Sequence, residues 1–140
     1  MNIKECLEQG YLSEEKLSLD LIEKEMKESS YDLEKAEKAF KDKDNKWAIV
    51  KCYYSMFHAA KAICFNLCYR EKKHFAVLII LEHLNKIGKL ESKFVNYFSA
   101  IMSLREGADY RYSYSAEKAE SSLITAREFC ARMEKLLKGL

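Results

Sequence analysis

The sequence predicts an all-α fold, an antiparallel up-and-down bundle of about five helices. Three observations lead there. The 140 residues include no Pro and only four Gly, so little interrupts a helix. Apolar residues recur at steps of three and four through most of the chain. One run, Lys46 to Tyr69, has neither Gly nor Pro and is apolar or aromatic at most positions. A chain of this length reads as one domain, residues 1–140, able to bury a core without disulfides or metal.

The elements follow in order. Ile3, Cys6 and Leu7 form a helical turn or two before Gly10 breaks the pattern. Ser13, followed by Glu14 and Glu15, predicts a helix start, with acids in the first turn. Leu19, Ile22, Met26, Ser29, Leu33, Ala36 and Phe40 then form one apolar stripe. Asp44 or Asn45 is placed to cap the helix that follows. That central helix carries two stripes: Ile49, Tyr53, Met56, Ala60, Ile63 and Leu67 on one, and Val50, Tyr54, Phe57, Cys64 and Cys68 on the other. A helix apolar on nearly all sides is buried on more than one. One face is expected to meet the chain's own core and another a further surface, such as a second subunit. Lys51, Ser55, His58 and Lys61 make a narrow polar seam.

Arg70 to Lys73 reads as a charged turn. His74 to Ile87 is a third helix whose inner stripe is Val77, Ile80, Leu81, Leu84 and Ile87, stopped by Gly88 in a left-handed conformation. Leu90, Phe94, Tyr97, Ile101, Leu104 and Ala108 mark a fourth. Ser115 caps a fifth, on Ala116, Ala119, Leu123, Ala126, Cys130, Met133 and Leu137.

Charge and composition narrow the function classes. The formal charge is only +2, so nucleic-acid binding would require a local basic patch. Lys51, His58 and Lys61 in the middle of the apolar run argue against a membrane span. Met1 to Gly10 lacks the apolar run of a signal peptide, and the five cysteines are odd in number and mostly on apolar faces. A cytoplasmic protein with reduced thiols is expected.

Strong general motifs are missing: no Gly-rich phosphate loop, no Cys-x-x-Cys and no His-Glu-x-x-His. Cys64 and Cys68, four apart, read either as a metal pair or as small core residues; the core reading leads, and no metal or cofactor is expected. His58 is either a hydrogen-bonded structural residue or faces a cleft. His74 opens a helix beside Arg70, Lys72 and Lys73, where an anion could bind; a solvated turn is the competing reading. His83, among Glu82, Asn85 and Lys86, belongs to the surface. The richest stretch is Arg105 to Tyr114, with Arg105, Arg111 and three tyrosines. Arg pairs with phosphate, and Tyr stacks on bases or donates to phosphate oxygen. The alternative is that Arg105 pairs with Asp109, one turn on, and the tyrosines only close the bundle end.

At these residues the chain resembles a known family. Tyr53-Tyr54-Ser55-Met56-Phe57-His58-Ala59-Ala60-Lys61-Ala62 is similar to the central helix of HEPN domains (higher eukaryotes and prokaryotes nucleotide-binding). So are Tyr69-Arg70-Glu71-Lys72-Lys73-His74 and Leu104-Arg105-Glu106-Gly107-Ala108-Asp109-Tyr110, followed by Tyr114-Ser115-Ala116-Glu117, in that order from Gly10 to Leu137. The resemblance implies a helical bundle that usually dimerises, with a nucleotide or RNA role. Many such proteins are metal-independent ribonucleases, often toxins paired with a small nucleotidyltransferase antitoxin. Their signature places a His four to six residues beyond an Arg; here Arg105 is followed after four residues by Tyr110, then Arg111 and Tyr112, and the His is missing. A phenol with pKa about 10 is a poor base at neutral pH, where a His with pKa about 6.5 serves well.

The expectation is therefore a cytoplasmic HEPN-like protein, more a binder than an enzyme. Its nucleotide or RNA site would comprise Arg105, Asp109, Tyr110, Arg111 and Tyr112, with His74 and Arg70 as further candidates. It would form a homodimer and act with a nucleotidyltransferase partner, with no membrane role. Two alternatives stand beside it. One is an active ribonuclease using Arg105 and Tyr110, with His58 or His74 replacing the missing base. The other is a helical adaptor docking through the second face of the central helix.

Overall fold

A computed structural model describes the backbone of residues 1–110 and 114–140, and the side chains of residues 1–106 and 114–140. The described elements are α1 (Ile3–Glu8), β1 (Leu12–Glu14), α2 (Leu19–Lys41), α3 (Asn45–Asn66), β2 (Tyr69–Glu71), α4 (Phe75–Lys86), α5 (Ser92–Tyr110) and α6 (Ala116–Gly139). The all-α reading holds. The short N-terminal segment adds α1 to the five long helices, and a two-stranded sheet is the only β structure among the described residues.

α3 is the centre of the molecule, packed against α2, α4, α5, α6 and β2. Asp44 caps it, its Oδ1 accepting from the Trp47 amide at 3.3 Å. Ile49, Tyr53, Met56, Ala60 and Ile63 on one stripe, and Val50, Phe57 and Cys64 on the other, are all buried. The chain's own elements therefore cover most of both stripes, leaving Tyr54 and Leu67 half-buried and Cys68 exposed. The polar seam is corrected at Ser55, which is fully buried; its carbonyl accepts from Ser29 Oγ at 2.7 Å. Among the described residues no helix is long and apolar enough to cross a membrane.

Two boundaries differ from expectation. Ser13 does not start a helix. It lies in β1, which pairs antiparallel with β2 in the register Leu12 to Glu71, Ser13 to Arg70 and Glu14 to Tyr69. Ser18 is the true cap of α2, its Oγ accepting from the Leu21 amide at 3.2 Å. Leu19, at the first helical position, is 69% exposed, so the α2 stripe begins at Ile22. The second difference is that the charged turn after α3 is strand β2, reached through Cys68 at φ 67°. Elsewhere the caps fall where the sequence puts them: Gly88 has φ +79°, and Ser115 accepts from the Lys118 amide. All five cysteines are free; Cys64 is fully buried, as the core reading has it, but Cys68 lies beyond the end of α3 and is exposed, so that reading is corrected at Cys68.

Candidate functional site

The site is built where α5 crosses α3 and the start of α4. Tyr53 and Tyr54 are adjacent on α3, so they point about 100° apart around the helix. Tyr53 is buried; Tyr54 is half-buried. A tyrosine that enters a core brings a hydroxyl that needs a partner. Each finds one outside α3. Tyr54 accepts from Arg105 Nη2 of α5 at 3.1 Å. The Tyr53 oxygen lies 3.2 Å from Nδ1 of His74, the residue that leads into α4.

The Arg105 guanidinium also stands over both rings, 5.3 Å from the Tyr53 centroid and 5.7 Å from that of Tyr54. Cation–π attraction and the hydrogen bond thus fix a half-buried cation in one place. The His74 ring packs on Phe57, with centroids 4.5 Å apart. Arg105, Tyr54, Tyr53 and His74 therefore form one contiguous group drawn from two helices, α3 and α5, and the start of a third, α4.

The electrostatics suit neutral pH. Loss of hydration against its aromatic neighbours lowers the His74 pKa from its ordinary value; the charges of Arg105 and Lys61 add to this, and Glu71 opposes it. The ring is thus neutral near pH 7, with a lone pair on one nitrogen. Burial pushes the Tyr53 phenol up to about 12 despite the pull of Arg105, so Tyr53 keeps its proton. An Arg held over aromatic rings beside a neutral imidazole can bind a phosphate, and can also accept a proton near it.

The remaining sequence candidates divide. Arg70 lies in β2, its Nη1 3.5 Å from Glu15 Oε1 and its guanidinium 5.7 Å from the Phe65 ring centroid, so its recorded contacts are structural. Asp109 and Tyr110 belong to the last turn of α5, and their side chains lie outside the described residues, as does the expected Arg105–Asp109 pair. Arg111 and Tyr112 lie outside the described residues altogether. His58 proves structural. Its Nδ1 is 2.5 Å from Glu25 Oε2 and its Nε2 is 3.7 Å from Asp32 Oδ2, tying α3 to α2. The Glu25 hydrogen bond raises its pKa against the opposing effect of burial. Lys61 links Glu25 to Glu71 at 3.5 and 3.6 Å, carrying the charge network toward His74. His83 is exposed, as expected.

The partners to which sequence reasoning gave no site role are Tyr53 and Tyr54, read there as stripe residues and within the stretch that resembles the HEPN central helix. Two adjacent phenol hydroxyls on a mostly apolar helix were the available signal.

Comparison with known proteins agrees with this architecture. The HEPN domain model matches residues 22–136. A Methanocaldococcus jannaschii protein named "Putative toxin MJ0605" is 32% identical over 104 residues, which cover 72% of this chain and 77% of that protein. A second protein of that organism, named "Putative toxin MJ0142", is 26% identical over 104 residues, covering 74% of this chain and 71% of its own length. With a family match that spans most of α2 through α6, the chain belongs to the HEPN family.

Proposed function

We propose that this HEPN protein is a toxin-type, RNA-directed protein that binds an RNA phosphate at Arg105. The observation that carries this reading is the seating of the Arg105 guanidinium over Tyr53 and Tyr54, next to His74. A cation fixed in that way loses little freedom when it pairs with a phosphate, so the pairing is favoured. The names of the two archaeal relatives support the toxin assignment. In this reading Tyr110 stands in place of the family's ribonuclease His, and Tyr110, Arg111 and Tyr112 extend the phosphate and base contacts. The chain works as one domain and pairs with a second copy. An antitoxin of the nucleotidyltransferase type holds it in check, in the cytoplasm.

The test is equilibrium binding of a fluorescein-labelled single-stranded oligoribonucleotide, read by anisotropy. Arg105→Ala should weaken binding roughly ten- to a hundredfold, the value of a charged hydrogen-bonded contact. Arg105→Lys should retain part of it, because a point charge still attracts phosphate. Equal affinity of the native protein and Arg105→Ala, with native thermal unfolding in both, would overturn the assignment. Light scattering of the protein alone tests the homodimer.

A second reading, RNA cleavage, is favoured by one observation: the neutral His74 is joined through Tyr53 and Tyr54 to Arg105. With Nδ1–H donating to the Tyr53 oxygen, Nε2 would accept the proton of a ribose 2′-hydroxyl. The 2′-oxygen would bond to phosphorus, the bond to the 5′-oxygen would break, and water would protonate the leaving oxygen. Arg105 would stabilise the charge gathering on the phosphoryl oxygens. Cleavage that survives His74→Ala would exclude this role; the binding test does not depend on it.

A further inference from the structure

A cleft of about 430 Å³ opens at the α2–α3 hairpin, away from His74. Lys35 and Lys38 of α2, Lys51 and Trp47 of α3, and Asp42 and Asp44 of the connection line it. That volume falls within the range of sites that hold small organic groups. Trp47 is 46% exposed although it opens the most buried helix of the molecule, and Ala48, Ile49 and Val50 directly after it are buried. The indole lies among cations: Lys46 Nζ is 5.5 Å from its ring centroid and Lys51 Nζ 5.8 Å. Asp44 is engaged by the Trp47 amide as the helix cap.

Helical geometry joins this cleft to Arg105. Trp47, Lys51 and Tyr54 occupy positions i, i+4 and i+7 of α3, one face of the helix, and span about 10 Å along its axis. Tyr54 accepts the hydrogen bond from Arg105. One face of α3 therefore carries, in line, an exposed indole, a lysine and the arginine-bearing tyrosine. Flat π surface and positive charge alternating along a line match the bases and phosphates of an unpaired strand.

We infer that the α2–α3 cleft is a second RNA subsite, in which Trp47 stacks an unpaired base while Lys35, Lys38 and Lys51 meet the adjoining phosphates of a strand held at Arg105. This deepens the RNA reading proposed above and rests on it. Single-stranded RNA fits better than a duplex, because only an unpaired base presents its face to an indole.

Trp47 is the chain's sole tryptophan, so its emission reports the cleft directly. The probe is 2′-O-methyl oligouridylate, which lacks the hydroxyl needed for cleavage. Trp47 emission of the full chain is followed as the probe is added, and anisotropy of a labelled copy is measured in parallel. Quenching that saturates with the anisotropy is expected. Trp47→Ala should weaken binding roughly tenfold and Trp47→Phe much less, since a phenyl ring still stacks. Replacing Lys35 and Lys38 with Gln should flatten the salt dependence by about 0.7 per lost phosphate contact. Binding by anisotropy with unchanged emission and unchanged affinity in Trp47→Ala would remove the cleft from the RNA path and leave Arg105 as the site. Emission that shifts only with protein concentration, and not with RNA, would assign the cleft to self-association and overturn the inference. Failure of the native chain to bind RNA by either readout would overturn both the inference and the reading beneath it.

Discussion

His74 and Tyr53, 21 residues apart in sequence, meet through Nδ1 and the phenol oxygen at 3.2 Å, and Arg105 sits over the ring of that tyrosine. The guanidinium therefore acts on the imidazole through space and disfavours its protonation, after the larger effect of partial desolvation. Arg105→Ala removes that positive charge, so the His74 pKa should rise toward its ordinary value, read by NMR titration of the ring protons. Glu71→Gln should move it the other way, because Glu71 favours the imidazolium. An unchanged His74 titration in Arg105→Ala would break the connection between the two residues.

The His58–Glu25 pair sets a pH dependence of stability. Its hydrogen bond raises the folded-state pKa of His58 above the unfolded value of about 6.5. A raised pKa means that the folded protein binds the proton more tightly. The stabilisation is then complete below the unfolded pKa and is lost as pH rises through the folded one. Burial pushes the Glu25 carboxyl up, but His58 and Lys61 outweigh it and hold the group below its ordinary value. His58→Gln should therefore cost more in urea midpoint at about pH 6 than at about pH 9. His74, with a lowered pKa, contributes in the opposite sense in both proteins and cancels in the comparison.

Packing predicts a sharp contrast within α6. Phe129 is fully buried, its ring stacked on Phe98 with centroids 5.8 Å apart, whereas Ile124 is 57% exposed. Phe129→Ala should destabilise by about 3–5 kcal/mol. Ile124→Ala should change stability by about 0.5 kcal/mol or less. Urea unfolding of the two variants checks both values.

Gly88 ends α4 at φ +79°, with open space where a Cβ would stand. The cost of an added methyl is thus conformational rather than steric. Gly88→Ala should lose about 1–2 kcal/mol in the same assay. A neutral or stabilising result would mean that the α4–α5 turn is not held in this conformation.

Most of the fold was legible because the helices write their burial into local spacing. Most residues of the two α3 stripes are buried as their composition demands, and Ser115 and Gly88 act where their chemistry predicts. What failed was non-local. Ser13-Glu14-Glu15 has the residues of a helix start, but its backbone pairs with β2, more than fifty residues away; no local pattern encodes that pairing. The polar seam of α3 misled at Ser55, whose buried environment comes from Ser29 on another helix.

The contacts of the proposed site were legible in part for the same reason. Arg105 stands out by type and position, and His74 by its basic surroundings. That the two converge depends on where α5 and α4 cross α3, and on Tyr53 and Tyr54 lying between them. Arg70 has the right charge for a phosphate, yet its strand turns it to Glu15 and Phe65.

The most direct test of the central claim uses the chain's three histidines as reporters. Each ring is followed by NMR as a single-stranded oligoribonucleotide is added. Binding at Arg105 should shift the His74 resonances strongly and saturably. His58, held between Glu25 and Asp32, should move little, and exposed His83 on α4 should not move. Saturable RNA binding that leaves His74 unmoved would contradict the account and place the RNA elsewhere on the molecule.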